Sequence, residues 1–231
     1  MELAYETKLG KLYLGNANES RGVVSDIDLV FTDPPYPRKF MSCYVILSWL
    51  YPDLMKVGAS LITIVGHYAL EDVIGIFESD GKLKFRWIFD LDQEADQHAR
   101  MAMGIEVMWK PMLWYVKEKF PRERNYGFMK DKITIPKRDK SLHKWQQSIV
   151  WCYDIIQKIT KENELVCDPF VGSGTVPLAC EMLNRRWVGI DIDEKAINTT
   201  IERLKDYGDT CVMYGRFSSW CHHEGFMGRR K

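Results

Sequence analysis

The feature that most constrains this chain is a regular exchange of strand-like and helix-like segments. It is clearest in residues 164–206, where "ELVCDPF", "TVPLACEMLN", "RWVGIDI" and "EKAINTTIERLKD" read as strand, helix, strand, helix. Upstream, "GKLYLGNA" (10–17) and "DIDLVFTD" (26–33) are short apolar runs with polar exits, and "ASLITIVG" (59–66) is β-branched and bounded by glycine. "SCYVILSWLYPDLMK" (42–56), "HYALEDVIGIFES" (67–79) and "WQQSIVWCYDIIQKIT" (145–160) have helical spacing, the last with a face of Ile149, Trp151, Ile155, Ile156 and Ile159. Such alternation predicts an α/β, doubly wound, mostly parallel sheet with helices on both faces. "KFRWIFDL" (84–91) adds a strand, and "VMWKPMLWYVK" (107–117) is expected at a sheet edge because Pro111 has no N–H for a ladder.

Two segments interrupt the alternation. Residues 92–106 are polar and read as a loop or mobile helix. Residues 117–142 carry nine Lys or Arg against four Asp or Glu, interleaved with Phe120, Tyr126 and Phe128. The whole chain balances thirty-two basic against thirty-two acidic residues, so a nucleic-acid partner has to be met by such a local patch. At 231 residues the chain is read as one domain, 1–231, with 92–106 and 117–142 as insertions. With no secretory leader and no bilayer-length apolar run, it is expected in the cytoplasm, away from membranes. The six scattered cysteines are then reduced thiols, and the Cys/His tail after Cys211 fits no standard metal spacing, so no metal is expected.

Two short stretches carry chemistry. "CDPFVGSGTV" (167–176) follows a strand and opens a helix, where α/β sheets bind ligands, and Gly172 and Gly174 let a ligand approach the backbone. Seventeen residues after Gly174, Asp191 ends the next strand, placed to take two ribose hydroxyls. Pro177 stands where a dinucleotide fingerprint needs its third glycine, and Asp168 would repel a pyrophosphate but welcome a cation. An adenosine carrying a sulfonium and an ammonium satisfies both acids; that ligand is S-adenosylmethionine, with S-adenosylhomocysteine as its product. The other stretch is "FTDPPY" (31–36), an acid, two prolines and a ring at a strand exit.

Together, "FTDPPY" and "CDPFVGSGTV" resemble the signature motifs of the amino-group DNA methyltransferases, and their order, catalytic motif first, resembles the permuted β class. The resemblance runs from about residue 10 to about residue 206. "LYLGNA" resembles a further cofactor motif, with Asn16 where the family usually has an acid, and "HKWQQS" (143–148) resembles an HPTQKP-like segment with departures at Lys144, Gln147 and Ser148. The resemblance implies a class I fold of seven strands, one antiparallel, with circularly permuted motif order. It also implies methyl transfer from S-adenosylmethionine to an exocyclic amine in double-stranded DNA.

On this reading Asp33 and the Pro34 carbonyl accept the two amino hydrogens, which turns a conjugated amine into a nucleophile. Pro34 is held extended by the proline after it, and Pro35 has no N–H to occupy that carbonyl. Tyr36 stacks on a base turned out of the duplex. Cofactor contacts fall to Asn16, Ala17, Asp33, Asp168, Phe170, Gly172, Ser173, Gly174, Thr175, Asp191 and Ile192. DNA contacts fall to Arg38, Lys39, Arg122, Arg124, Lys137, Arg138 and Lys140, the insertions selecting a short site, with room for a second subunit in a homodimer. A leading Asp favours adenine N6 over cytosine N4, and no proline precedes a cysteine, which argues against ring-carbon methylation. The alternatives are RNA or protein-glutamine methylation, and a non-catalytic DNA-binding subunit. The enzyme would serve a restriction–modification system or act alone near the nucleoid.

Overall fold

The structure is a computed structural model that describes residues 1–93, 99–101, 103–120, 128–135 and 146–214. The chain opens with an antiparallel pair, β1 (Glu2–Glu6) and β2 (Gly10–Leu14). β3 (Ile27–Thr32) leads through α1 (Met41–Trp49) and α2 (Tyr51–Leu54) to β4 (Met55–Ile64), and α3 (Leu70–Glu78) leads to β5 (Leu83–Gln93). Two short strands, β6 (Ala99–Arg100) and β7 (Glu106–Val107), precede β8 (Trp109–Lys117) and β9 (Lys132–Ile135). The last part alternates α4 (Gln146–Ile159), β10 (Leu165–Asp168), α5 (Thr175–Leu183), β11 (Arg186–Asp191) and α6 (Glu194–Tyr214).

Nine strands form one sheet in the order β1-β2-β11-β10-β3-β4-β8-β5-β9. The inner seven, β2 to β5 in that order, match the expected count, and β8 alone among them runs antiparallel to its neighbours. β1 adds to one edge antiparallel and β9 to the other parallel. Every residue of β3 and β10 is buried, as expected of strands covered on both faces. Leu29 and Phe31 of β3 face α4, α5 and α6, while Val30 faces α1, α2 and α3.

α4 shows what holds these helices. Its buried face is Ile149, Cys152, Ile155, Ile156 and Ile159, and Trp151 stands edge-on to Phe31 with ring centroids 5.5 Å apart. β-branched isoleucines are modest helix formers. Burial decides instead, at about 1.5–3 kcal/mol for each isoleucine fully removed from water.

Two expectations need correction. β8 is an interior strand, between β4 and β5. Pro111 is tolerated there because it sits at the last rung: its carbonyl accepts from Val65 N–H at 2.9 Å, one residue beyond the end of β4 at Ile64. The missing N–H therefore interrupts nothing further along that ladder. The stretch 92–106 is also not a helix among the described residues. β5 continues into it as far as Gln93, and β6 pairs with β7 as a small antiparallel ribbon closed near Gly104, whose φ is +82°. The basic stretch 117–142 contributes β9 to the main sheet, while residues 121–127 and 136–145 lie outside the described residues.

Candidate active site

The connection β10–α5–β11 steps across the sheet one way, and β3–α1–α2–β4 steps the other. The carboxyl ends of β10 and β3 therefore flank the point where the connections diverge, the natural crevice of an open α/β sheet. Thr32 and Asp168 sit at those two ends. Thr32 Oγ1 donates to Asp168 Oδ1 at 2.7 Å, and Phe170 N–H donates to the same oxygen at 3.2 Å. Asp168 is 4% exposed, and burial pushes its carboxyl up to about 7 despite those two donors.

The glycine-bearing turn wraps around this acid. Gly172 and Gly174 have φ of +52° and +78°, values that disfavour any side chain. A Cβ at Gly172 would meet only the Phe170 carbonyl, 3.9 Å away, so the space before that residue is open. A Cβ at Gly174 would fall 2.7 Å from Thr200 of α6, so this glycine is required by close packing. Gly172 N–H donates to Asp191 Oδ2 at 2.8 Å and Asp193 N–H to Oδ1 at 2.9 Å, which fixes the Asp191 carboxylate at the end of β11. Gly15 N–H reaches the Asp191 carbonyl at 2.9 Å, bringing Asn16 and Ala17 to the same edge. Asn16 caps the short 3₁₀ turn that follows, accepting from Asn18 N–H at 3.1 Å, and Ala17 is buried. Ile192 is 70% exposed.

Asp33 comes directly after β3. The Tyr36 hydroxyl donates to its Oδ1, and Lys110 Nζ of β8 donates to that hydroxyl at 3.1 Å and lies 4.5 Å from the ring centroid. Asp33 keeps a solvent-facing surface within a recess; burial raises its carboxyl, while the Tyr36 hydrogen bond and the Lys110 charge pull it back. The Tyr36 hydroxyl is held far above its ordinary range by burial first and the Asp33 charge second, so it remains a proton donor. Next in sequence, Arg38 and Lys39 are exposed, the Arg38 guanidinium lying 5.9 Å from the Tyr68 ring centroid. Beside the site, a groove of about 440 Å³ is lined by His67, Tyr68, Met101, Met103, Ile105 and Trp109 among others.

A family model described as DNA methylase matches residues 27–202, which contain both the Asp33–Tyr36 stretch and the glycine turn. The chain belongs to that family. Its relatives include the Type II methyltransferase M.HpaI of Haemophilus parainfluenzae, 37% identical over 222 residues that cover 78% of this chain and 68% of that protein. M.HindIII of Haemophilus influenzae is 35% identical over 80 residues, 35% of this chain and 26% of the relative. M.BamHI of Bacillus amyloliquefaciens is 27% identical over 267 residues, 87% of this chain and 58% of the relative. The chain thus spans between about a quarter and two thirds of these relatives' lengths.

Among solved structures, the M1.HpyAVI–SAM complex superposes with a TM-score of 0.64 at 22% identity, covering 84% of this chain and all of that one. The cytosine-N4-specific PvuII DNA methyltransferase gives 0.69 at 14% identity, covering 92% and 95%. At those identities the likeness is one of fold, and it gives this chain the class I methyltransferase architecture that its motifs imply.

Several residues of this candidate site carry little or no sequence signal. Thr32 could have been found, as a polar residue inside a fully buried strand. Lys110 could not, since it reaches Tyr36 from two strands away. Arg203 of α6 is equally silent. Its guanidinium donates to the Ser173 carbonyl and, at 3.0 Å, to the Ser173 hydroxyl, bracing the glycine turn from outside. Arg122, Arg124, Lys137, Arg138 and Lys140 fall outside the described residues, as do residues 143–145 of the HPTQKP-like segment and the tail from 215 onward.

Proposed function

We propose that this protein transfers a methyl group from S-adenosylmethionine to the N6 amino group of adenine in a short site in double-stranded DNA, with the base turned out of the helix. One observation carries the reading. The Asp33–Tyr36 pair and the glycine turn, from opposite halves of the chain, meet at the ends of adjacent strands, and the Thr32–Asp168 hydrogen bond joins them. When bound, S-adenosylmethionine supplies a methyl group already activated on sulfur, so no covalent nucleophile is required of the protein.

The residues present suit that ligand. Gly172 leaves its approach open, Asp191 is fixed by two backbone amides with lone pairs left for ribose hydroxyls, and buried Asp168 is a carboxylate in want of a cation. Asp33 Oδ1 is taken by Tyr36, so Oδ2 and the Pro34 carbonyl are the two acceptors offered to the amino hydrogens. Drawing on those hydrogens makes the nitrogen pyramidal and frees its lone pair. Arg38 and Lys39, exposed and close behind the clamp in sequence, serve as phosphate contacts.

Cytosine N4 is the second reading, because a fold neighbour is a cytosine-N4-specific enzyme. Purified protein, duplex DNA and S-adenosylmethionine, followed by nucleoside mass spectrometry, will yield N6-methyladenine. N4-methylcytosine alone would exchange the base and keep the chemistry; no methylated base on any duplex would overturn the proposal. In the same assay Asp33→Ala is expected to lower turnover on the order of 10²–10³-fold, the cost of removing one preorganised hydrogen-bonding group, with S-adenosylhomocysteine binding retained.

A further inference from the structure

Lys110 lies outside both sequence motifs, yet it touches the clamp directly. Its ammonium donates to the Tyr36 hydroxyl at 3.1 Å, and that hydroxyl donates to Asp33. An ammonium has no lone pair, so the phenolic proton cannot turn back toward it and has to point at the carboxylate. Nζ also lies 4.5 Å from the Tyr36 centroid, within cation–π range on one side of the ring. The ring plane and the direction of its hydrogen bond are thereby set before any base arrives. We propose that Lys110 is a positioning residue for methyl transfer, holding Tyr36 as the stacking wall and Asp33 as a hydrogen-bond acceptor for the amino group. The inference rests on the proposed function of the site.

The charges around Asp33 show why such a residue is needed. The groups that face it are Tyr36, Lys110, Tyr44 of α1 and Asp168 of β10. Tyr44 gives its hydroxyl proton to the Ile64 carbonyl at 3.0 Å, and Asp168 is a second acid. Burial raises the Asp33 carboxyl, shifting it toward the protonated form, which would offer a donor where the amino group needs an acceptor. Lys110 is the cation that opposes this among the described residues.

The test compares Lys110→Met and Lys110→Arg with the wild type in tritiated methyl transfer to DNA, across mildly acidic to mildly alkaline pH. Alongside, the carboxyl carbon of Asp33 is titrated by NMR in ligand-free protein. Lys110→Met is expected to lose about 10–100-fold in kcat at neutral pH, the fold-change that corresponds to one charge-assisted hydrogen bond. Its acid limb moves to higher pH with partial recovery in alkali, the Asp33 titration moves the same way, and Lys110→Arg restores most of both. An Asp33 titration unchanged in Lys110→Met would overturn the inference, as would an equal loss at every pH. A higher KM for DNA with an unmoved acid limb would also overturn it, making Lys110 a phosphate contact. In those cases wild-type methylation stands; wild-type protein that methylates no DNA brings down the proposed function first and the inference with it.

Discussion

Asp168 concentrates the physical conflict of the site in one side chain. It is buried at the end of β10 with two hydrogen-bond donors on one oxygen and no cation beside it among the described residues, and burial lifts its carboxyl from an ordinary 3.8 to about 7. A raised native value means that the folded protein binds the proton more tightly than the unfolded chain between those two pH values. Stability of the ligand-free protein should therefore fall as pH rises through that window and level off above about 7. On the proposed cofactor site, the ammonium of S-adenosylhomocysteine would need the opposite form, the carboxylate. Its affinity, measured by calorimetry, should rise from mildly acidic pH to about 7 and then plateau. Asp168→Asn should flatten that profile and weaken binding at neutral pH; a profile that keeps its slope in the variant would place the ammonium elsewhere.

At the scale of elements, the glycine turn is fixed as much by its neighbours as by its own sequence. Gly174 is the N-cap of α5 at φ +78°, and a side chain there would press on Thr200 of α6. Gly174→Ala therefore meets backbone strain of about 1–3 kcal/mol plus a contact that α6 has to yield to. Its melting temperature should drop by roughly 4–10 °C for a chain of this size, and S-adenosylhomocysteine binding should weaken. Gly75, exposed to open space within α3, should accept alanine without loss in the same melts.

The same turn explains what could be read beforehand. Its glycines, the following acid Asp191 and the Asp33–Tyr36 stretch were legible because each needs particular residue types in a short window. The isoleucine face of α4 was legible because helical spacing survives in any context. Pro111 misled because a proline's tolerance depends on which rung it occupies, and that is a property of β4's end rather than of β8. β1 gave no periodic signal, with Glu2 and Glu6 at its ends and its pairing supplied wholly by β2. The ribbon of β6 and β7 is likewise too short to show alternation. Lys110 and Arg203 escaped for a third reason: their roles are contacts with residues distant in sequence, which no local pattern records.

Across the whole molecule, the order β2-β11-β10-β3 has a consequence for how the chain can be divided. Only the twelve residues 15–26 separate β2 from β3 in sequence, yet the two strands never touch as neighbours, because β11 and β10, from the far end of the chain, lie between them. α4, α5 and α6 cover one face of strands that come largely from the first half, closing a single apolar cluster from Leu12 to Leu204. Arg185 ties this C-terminal layer together. It is 7% exposed and gives Nε to Thr160 Oγ1 at 3.1 Å and a terminal nitrogen to the Thr160 carbonyl at 2.8 Å, joining the end of α4 to the start of β11. A fragment ending at residue 140 would thus leave the ladder edges of β2 and β3 unpaired and the faces of Leu29 and Phe31 in water. The complementary fragment would keep two strands under three helices, but with both ladder edges bare and Leu165, Cys167, Val188 and Ile190 stripped of the helices that cover them. Neither fragment alone should show a cooperative melt by circular dichroism. Mixed or co-expressed, they should assemble, melt cooperatively and bind S-adenosylhomocysteine, because the cut spares every pairing between the two halves of the site. A cooperative transition in the first fragment alone would mean that β3 and β4 carry a core of their own.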